Sequence, residues 1–454
     1  MEFIKKHRAK LPYAIFAVLG LFSLCLAFSG DLWFDEAYTV SLIRHDFGEV
    51  VDILKTDMHP PLYFLSLKLF CSVFGYSLAV TKIFSALGYL ATLSLGLTIV
   101  KKHYGARSSI VYMLTVGAIP MALYFSVQQR SYQWCIFFVT LCFLKALLFL
   151  ETRKPTHCVL FVIAGLGAAY NHIYALLAVG VVFAFVNVYA LAKDRKLFKF
   201  ALISDAAMIA GFSPWLIQLL DQTKAASGSF WLTGVEPLSV IVFASGLAFS
   251  ALILAKKENR RPAVVFAIVC VLSVQAIGLF VTVFIRPFYI ARYCVVTLGV
   301  FALLIAFGVR DVKKGLKKFV LILLCVLNVA CFAVTATFEY SASMSSFFDR
   351  LDKRLGANDT FVYCDSSFGI MSYYYPEHEH ICTYNEAWFA AFDNVECIEK
   401  DEVGEKVGFG DPVWLVKNAQ TRLPDYIKSS FTAEKVDSFR CDFNYFELYS
   451  LSKR

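Results

Sequence analysis

The stretch Asp57-Met58-His59-Pro60-Pro61-Leu62-Tyr63, followed by an apolar run to Gly75, decides how this chain is threaded. Read as a bilayer crossing, it puts every later basic connection on the wrong side; read as a helix lying on the outer leaflet, it leaves them all on one side. The run from Pro61 to Gly75 is shorter than the roughly 20 apolar residues that a span requires. An interfacial or re-entrant helix is therefore predicted there, started by Pro60-Pro61, because proline suits the first helical position.

Outward from that stretch the chain is strongly apolar. Its 454 residues are 58% hydrophobic, 16% aromatic and 17% charged, with a mean hydropathy of +0.62, which excludes an ordinary soluble protein. About eleven candidate spans follow from the length rule: 12–28, 78–100, 110–127, 133–150, 158–171, 174–192, 200–220, 237–255, 263–285, 294–309 and 319–338. A cytoplasmic N-terminus requires alternate connections to be basic. They carry Lys101, Lys102 and Arg107, then Arg153 and Lys154, then Lys193, Arg195, Lys196 and Lys199, then Lys256, Lys257, Arg260 and Arg261, and last Arg310, Lys313, Lys314, Lys317 and Lys318. The net charge of +8 sits in these short clusters rather than on one face, so no nucleic-acid partner is expected. Lys5, Lys6, Arg8 and Lys10 precede the first apolar run, but no small-x-small site before Asp31 marks a cleavable signal peptide. The expectation is a multi-pass protein of the plasma membrane.

From Glu339 onward, charges and turn residues replace the long apolar stretches, and short apolar runs such as Thr360–Tyr363 and Pro412–Val416 appear. The prediction is an all-α polytopic membrane domain over 1–338 and a small C-terminal extracytoplasmic α/β or α+β domain over 339–454. Most of the thirteen cysteines lie inside spans, where a thiol behaves as a small apolar group. Cys364, Cys382, Cys397 and Cys441 fall in an oxidising compartment on this topology, with their pairing left open. The run Glu377-His378-Glu379-His380 reads as a turn at a strand end.

Two acidic clusters share the first outer loop: Asp31-Leu32-Trp33-Phe34-Asp35-Glu36-Ala37-Tyr38 and the Asp57 stretch. Helix starts would account for Asp35, Glu36 and Pro60-Pro61 singly. Both clusters in one loop, on the same side as Lys82, Arg130, Arg286 and Arg292, suit transfer of a sugar from a lipid phosphate. Asp35 is the candidate base, within reach of the proton of a weakly nucleophilic hydroxyl. Glu36 would orient it, and the four cations would neutralise the departing phosphate. Asp57, His59, Tyr63, Tyr132, His172 and Tyr293 are candidate substrate-binding residues. His59 and His172 could also hold a divalent metal, although their spacing defines none. Trp33, Tyr38, Tyr63, Trp231, Tyr289 and Tyr293 fit an interfacial aromatic belt or sugar stacking. A transporter or flippase for lipid-linked glycans would instead carry its ionisable residues at mid-membrane, and a non-catalytic scaffold would tolerate loss of Asp35 and Asp57. No P-loop, dinucleotide fingerprint or zincin motif occurs.

The ordered set Asp35-Glu36, His59-Pro60-Pro61-Leu62-Tyr63, Phe74-Gly75 with Lys82, Arg130-x-Tyr132, Asn171-His172-x-Tyr174 and Arg292-Tyr293 resembles the bacterial branch of the dolichyl-phosphate-mannose protein mannosyltransferase and aminoarabinose transferase family. The resemblance covers roughly residues 10–340. It implies the GT-C fold with two interfacial helices in the first outer loop, a polyprenyl-phosphate sugar donor, inversion at the anomeric carbon, and Asp35 as base. The acceptor it implies is a protein, lipid or cell-envelope glycan. Two positions depart from the family pattern. Gln128-Gln129-Arg130-Ser131-Tyr132 replaces Glu-Ala-Arg-x-Tyr, removing a second carboxylate, and Lys82 stands where arginine is usual, keeping the charge but losing the bidentate fork.

Overall fold

In the computed structural model the described residues are 10–30, 32–57, 59–225, 234–309, 313–383, 387–407, 412–441 and 444–454. Asp31, Met58, Trp231 and Arg310 lie outside them. The chain forms two compact units: one of residues up to Ala27, 58–66 and 82–335, the other of 28–57, 67–81 and 336–454.

The first unit is helical, as it must be if each backbone N–H in hydrocarbon is to be satisfied within its own segment. Proline opens Pro155–Ala169, Pro237–Leu254 and Pro262–Phe284, at positions where its missing N–H costs nothing. Among the described residues eight helices are long and apolar enough to cross a membrane, and the chain is a multi-pass membrane protein. Their outward faces are apolar, with Leu252 and Phe284 each 72% exposed, a surface suited to lipid rather than water. Small residues let helices approach closely. A Cβ on Gly299 would collide with Thr140, which brings Leu298–Gly308 against Tyr132–Thr152.

The count of eleven spans is not reproduced. Leu78–Gly117 is an apolar stretch of 40 residues that Gly105, at φ +87°, breaks into two helices, one over the predicted span 78–100 and one over the first part of the span predicted at 110–127. Leu11–Leu26 and Pro155–Ala169, of 16 and 15 residues, fall short of full spans. The segment predicted over 110–127 stops at Gly117, and a separate short helix starts at Pro120. The reason is local: proline disfavours the helical conformation for the residue before it, and Ile119 is extended.

Leu62–Phe74 is a helix of 13 residues that begins directly after Pro60-Pro61, as the sequence predicts. Its length of about 20 Å is less than the roughly 30 Å hydrocarbon thickness.

In the second unit a mixed sheet has the order β3-β2-β1-β4-β6-β5, built from β1 (Thr360–Tyr363), β2 (Glu379–Cys382), β3 (Val395–Cys397), β4 (Val413–Asn418), β5 (Phe431–Cys441) and β6 (Asn444–Lys453). The first four strands pair in parallel, while β6 runs antiparallel to both β4 and β5. The whole of β1 is buried, as expected of a central parallel strand covered on both faces. Val362, Ile381, Leu415, Ile427, Phe431 and Leu451 make the core. Lys417 is buried opposite Glu447 in the β4–β6 register and bonds it at 2.6 Å. Among the described residues no disulfide joins Cys364, Cys382, Cys397 and Cys441, whose pairing the sequence left open.

His380 on β2 is the buried end of the Glu377–His380 run. Its Nε2 donates to the Tyr375 carbonyl at 2.8 Å, and its Nδ1 accepts from the Tyr363 hydroxyl at 2.7 Å. The neutral ring satisfies both partners, and burial pushes its pKa down to about 4. The unfolded chain, with an ordinary imidazole, takes up this proton first, so stability falls as pH drops from 6.5 toward 4, by about 3 kcal/mol in all. Hydrogen exchange of the β1 and β2 amides in the intact protein, corrected for intrinsic rates, should lose protection across that window. A His380→Gln variant should lose the dependence, and protection independent of pH in the parent protein would contradict this account.

Candidate functional site

Within the helical unit four connections meet, each brought there by the end of an apolar helix. Pro60-Pro61 offers no N–H, so the first donor of the Leu62–Phe74 helix is the Leu62 amide, which donates to the Tyr170 carbonyl at 3.0 Å. That bond seats His59 beside the Asn171-His172 turn, and the two imidazole rings lie 6.5 Å apart. Arg130, on the turn before the Tyr132–Thr152 helix, donates from Nη2 to His59 Nε2 at 2.8 Å. The Tyr132 ring lies 5.7 Å from His172. Tyr293 completes the ring of contacts at 5.5 Å from His172 and 4.6 Å from Tyr174, with the Arg292 guanidinium 5.8 Å from the Tyr293 ring centre.

The protonation states follow from these partners. His59 accepts from a guanidinium, so its proton sits on Nδ1 and the ring is neutral. His172, the N-cap of Ile173–Lys193, accepts from the Tyr174 amide through Nδ1 at 3.1 Å, which puts its proton on Nε2. Burial first, and then the neighbouring guanidinium charges of Arg130 and Arg292, hold the His172 pKa well below the usual imidazole range. The result is a pair of neutral imidazoles set among fixed guanidinium charges. Such a cluster can receive an anion through charge-assisted bonds without taking up a proton.

Lys82 is only 1% exposed, so it does not snorkel to a surface. It stands one turn from Ser85, whose hydroxyl shares a hydrogen bond of 3.1 Å with Tyr63; this places Tyr63 and Lys82 along one side of the Leu78–Leu95 helix. Arg286 is half-buried in the connection upstream of Arg292, its amide closing the end of Pro262–Phe284 on Val281 at 2.9 Å. No group of three His, Cys, Asp or Glu side chains suited to a metal ion occurs among the described residues.

The acidic residues of the first loop belong to the second unit. Asp35 and Glu36 occupy the first turn of Phe34–Leu42, where the helix dipole favours carboxylates. Glu36 is buried and accepts the Trp33 amide at 3.2 Å, so one of its oxygens caps the helix. Asp35 is half-buried. Asp57 is buried, and its Oδ2 accepts from Tyr38 at 2.7 Å, which ties together the two acidic clusters of the loop. Phe34 packs on Phe368 and Phe392, fixing the same helix.

No protein-family model matches the sequence, and no curated protein matches it. Solved structures do. The crystal structure of ArnT from Cupriavidus metallidurans in the apo state superposes with a TM-score of 0.69 at 12% identity, covering 98% of each chain. The structure of the same protein bound to undecaprenyl phosphate superposes with a TM-score of 0.68 at 12% identity, covering 97% of each. The chain has the GT-C fold of ArnT. The likeness is one of fold, and it spans both units of this chain.

Within this GT-C fold one residue went unnoticed in the sequence. Glu236 Oε2 accepts from the Ala291 amide at 2.6 Å and from Ser239 Oγ at 2.7 Å. It thereby pins the start of the Ala291–Thr297 turn that carries Arg292 and Tyr293. A lone carboxylate at the mouth of an apolar helix, directly before Pro237, was the available signal. Glu236→Ala should loosen that turn and lower stability by about 1–3 kcal/mol, read as a fall in Tm. Tyr38→Phe, which removes a donor from the buried Asp57, should cost a similar amount, about 1–3 kcal/mol. An unchanged Tm in either variant would contradict the role given to that bond.

Proposed function

We propose that this chain is an integral-membrane inverting glycosyltransferase that moves a sugar from a polyprenyl-phosphate donor to an acceptor on the extracytoplasmic side. The observation that carries the proposal is the full-length GT-C fold shared with ArnT, which has been captured with undecaprenyl phosphate, together with the buried cationic cluster around His172. On this reading the N-terminus is cytoplasmic, and the first loop and the C-terminal unit are extracytoplasmic, as the basic connections demand.

Asp35 takes the proton of the acceptor hydroxyl while that oxygen bonds the anomeric carbon from the face opposite the phosphate. The bond from the anomeric carbon to the phosphate oxygen breaks, and polyprenyl phosphate leaves with the electron pair. Lys82, Arg130, Arg286 and Arg292 hold the leaving phosphate, which needs no acid once its charge is met. His172 donates to it from Nε2 as a neutral group. His59, Tyr63, Tyr132 and Tyr293 shape the pocket for the sugar and the carrier. Asp57, bonded to Tyr38, orders the acceptor loop.

Asp35→Asn should lower transfer from a radiolabelled polyprenyl-phosphate sugar by on the order of 100-fold or more, with membrane insertion and Tm unchanged. Transfer at the parental rate would exclude the mechanism. Vesicle-to-vesicle movement of the lipid-linked sugar without transfer would favour the flippase reading instead.

A further inference from the structure

We infer that the C-terminal segment positions the proposed base, and that Gly369 is the residue through which it does so. The inference rests on the reading of Asp35 as base. Both residues belong to the second unit. Asp35 directly follows Phe34, the first residue of the Phe34–Leu42 helix, so whatever places the Phe34 ring also places the start of that helix and the carboxylate beside it.

The Phe34 ring lies 5.9 Å from the Phe368 ring and 6.4 Å from the Phe392 ring, centre to centre, and it rests on Gly369. A Cβ at Gly369 would stand 2.8 Å from Phe34 Cδ2, 2.9 Å from Phe34 Cε2 and 3.1 Å from Phe392 Cζ. Carbon atoms pack at about 3.5 Å, so a methyl group there must drive the Phe34 ring back by about 0.7 Å. Gly369 sits within the Phe368–Tyr374 helix, where alanine is the better helix former. The missing side chain therefore serves the approach of Phe34 and not the local backbone.

Gly369 is itself tied to the sheet. Asp365, just past β1, accepts from the Ser367 amide through Oδ1 at 3.0 Å and from the Asn418 amide at the end of β4 through Oδ2 at 2.8 Å. Ser367 Oγ donates to the Val416 carbonyl on β4 at 2.8 Å. The C-terminal segment also holds the loop on either side of Asp35: the Tyr374 hydroxyl donates to the Gly30 carbonyl at 2.8 Å, and His45 Nε2 donates to the Ala391 carbonyl at 3.3 Å. With both flanks and the Phe34 ring held by one segment, the helix start has little freedom to move. A misplacement of about 1 Å can cost on the order of 100-fold in rate, so a ring shift of the size a methyl group demands should be read in turnover.

Transfer from a radiolabelled polyprenyl-phosphate sugar, measured with the full-length protein in membranes that retain its acceptor, tests this. Gly369→Ala should lower kcat by about tenfold or more while the donor KM stays within about twofold, because the donor contacts proposed for the helical unit are untouched. Adding Phe34→Val, whose side chain has no atom beyond Cγ, should raise kcat again by about threefold or more. Gly404→Ala, in the same unit with Ser430 Oγ 3.2 Å from the new Cβ, should keep the parental rate. If Gly369→Ala fails to fold, Phe34→Val alone decides: a fall in kcat of about threefold or more at unchanged donor KM supports the inference, and parental kcat overturns it. Parental kcat in Gly369→Ala, a loss that Phe34→Val does not relieve, or a loss that vanishes when rates are referred to folded protein would each overturn the inference and leave Asp35 as base. Parental transfer by Asp35→Asn would instead overturn the reading of the base, and the inference with it.

Discussion

The hydrogen bond from Arg130 to Nε2 of His59 is the constraint on which the helical unit's cluster depends. It requires a neutral imidazole, and it joins the turn before one long helix to the start of another. Next to it, the Leu62 amide closes on the Tyr170 carbonyl, so the His-Pro-Pro-Leu-Tyr stretch is fixed at both ends of its sequence. The two prolines matter because they supply no donors of their own. Leu62 is thus the first residue able to bond, and the Asn171-His172 turn is where that bond can be made.

Charge buried in this unit is organised rather than merely tolerated. Lys82 is nearly inaccessible, and burial above all, with the Arg130 and Arg292 guanidinium groups beside it, holds His172 neutral. Fixed positive charge concentrated in this way suits an anionic group through charge-assisted hydrogen bonds. A phosphate on a lipid carrier is such a group, and a neutral His172 can add a hydrogen bond without adding repulsion.

Much of the fold was legible in the sequence, because length and hydropathy determine which segments cross a bilayer. The strand over Thr360–Tyr363 and the helix beginning after Pro60-Pro61 fall where a short apolar run and proline chemistry place them. The end of the helix at Gly117 was missed because an apolar run continues through Pro120, and composition outweighed the local rule. The union of the first loop with the C-terminal segment was not legible either, since it rests on contacts such as Phe34 with Phe368 that have no signature in either stretch alone. Of the site residues, His59, Arg130, Tyr132, His172 and Tyr293 announced themselves as polar groups or aromatics at the ends of apolar runs. Glu236 did not, because its role comes from a bond to a backbone amide 55 residues away.

The central claim is that the cluster around His172 receives a lipid phosphate. The most direct measurement is an experimental structure of the protein with undecaprenyl phosphate added. The account predicts phosphate density within hydrogen-bond distance of His172 Nε2 and the Arg130 or Arg292 guanidinium. Lipid phosphate bound elsewhere, with that cluster unchanged and occupied only by water, would contradict it.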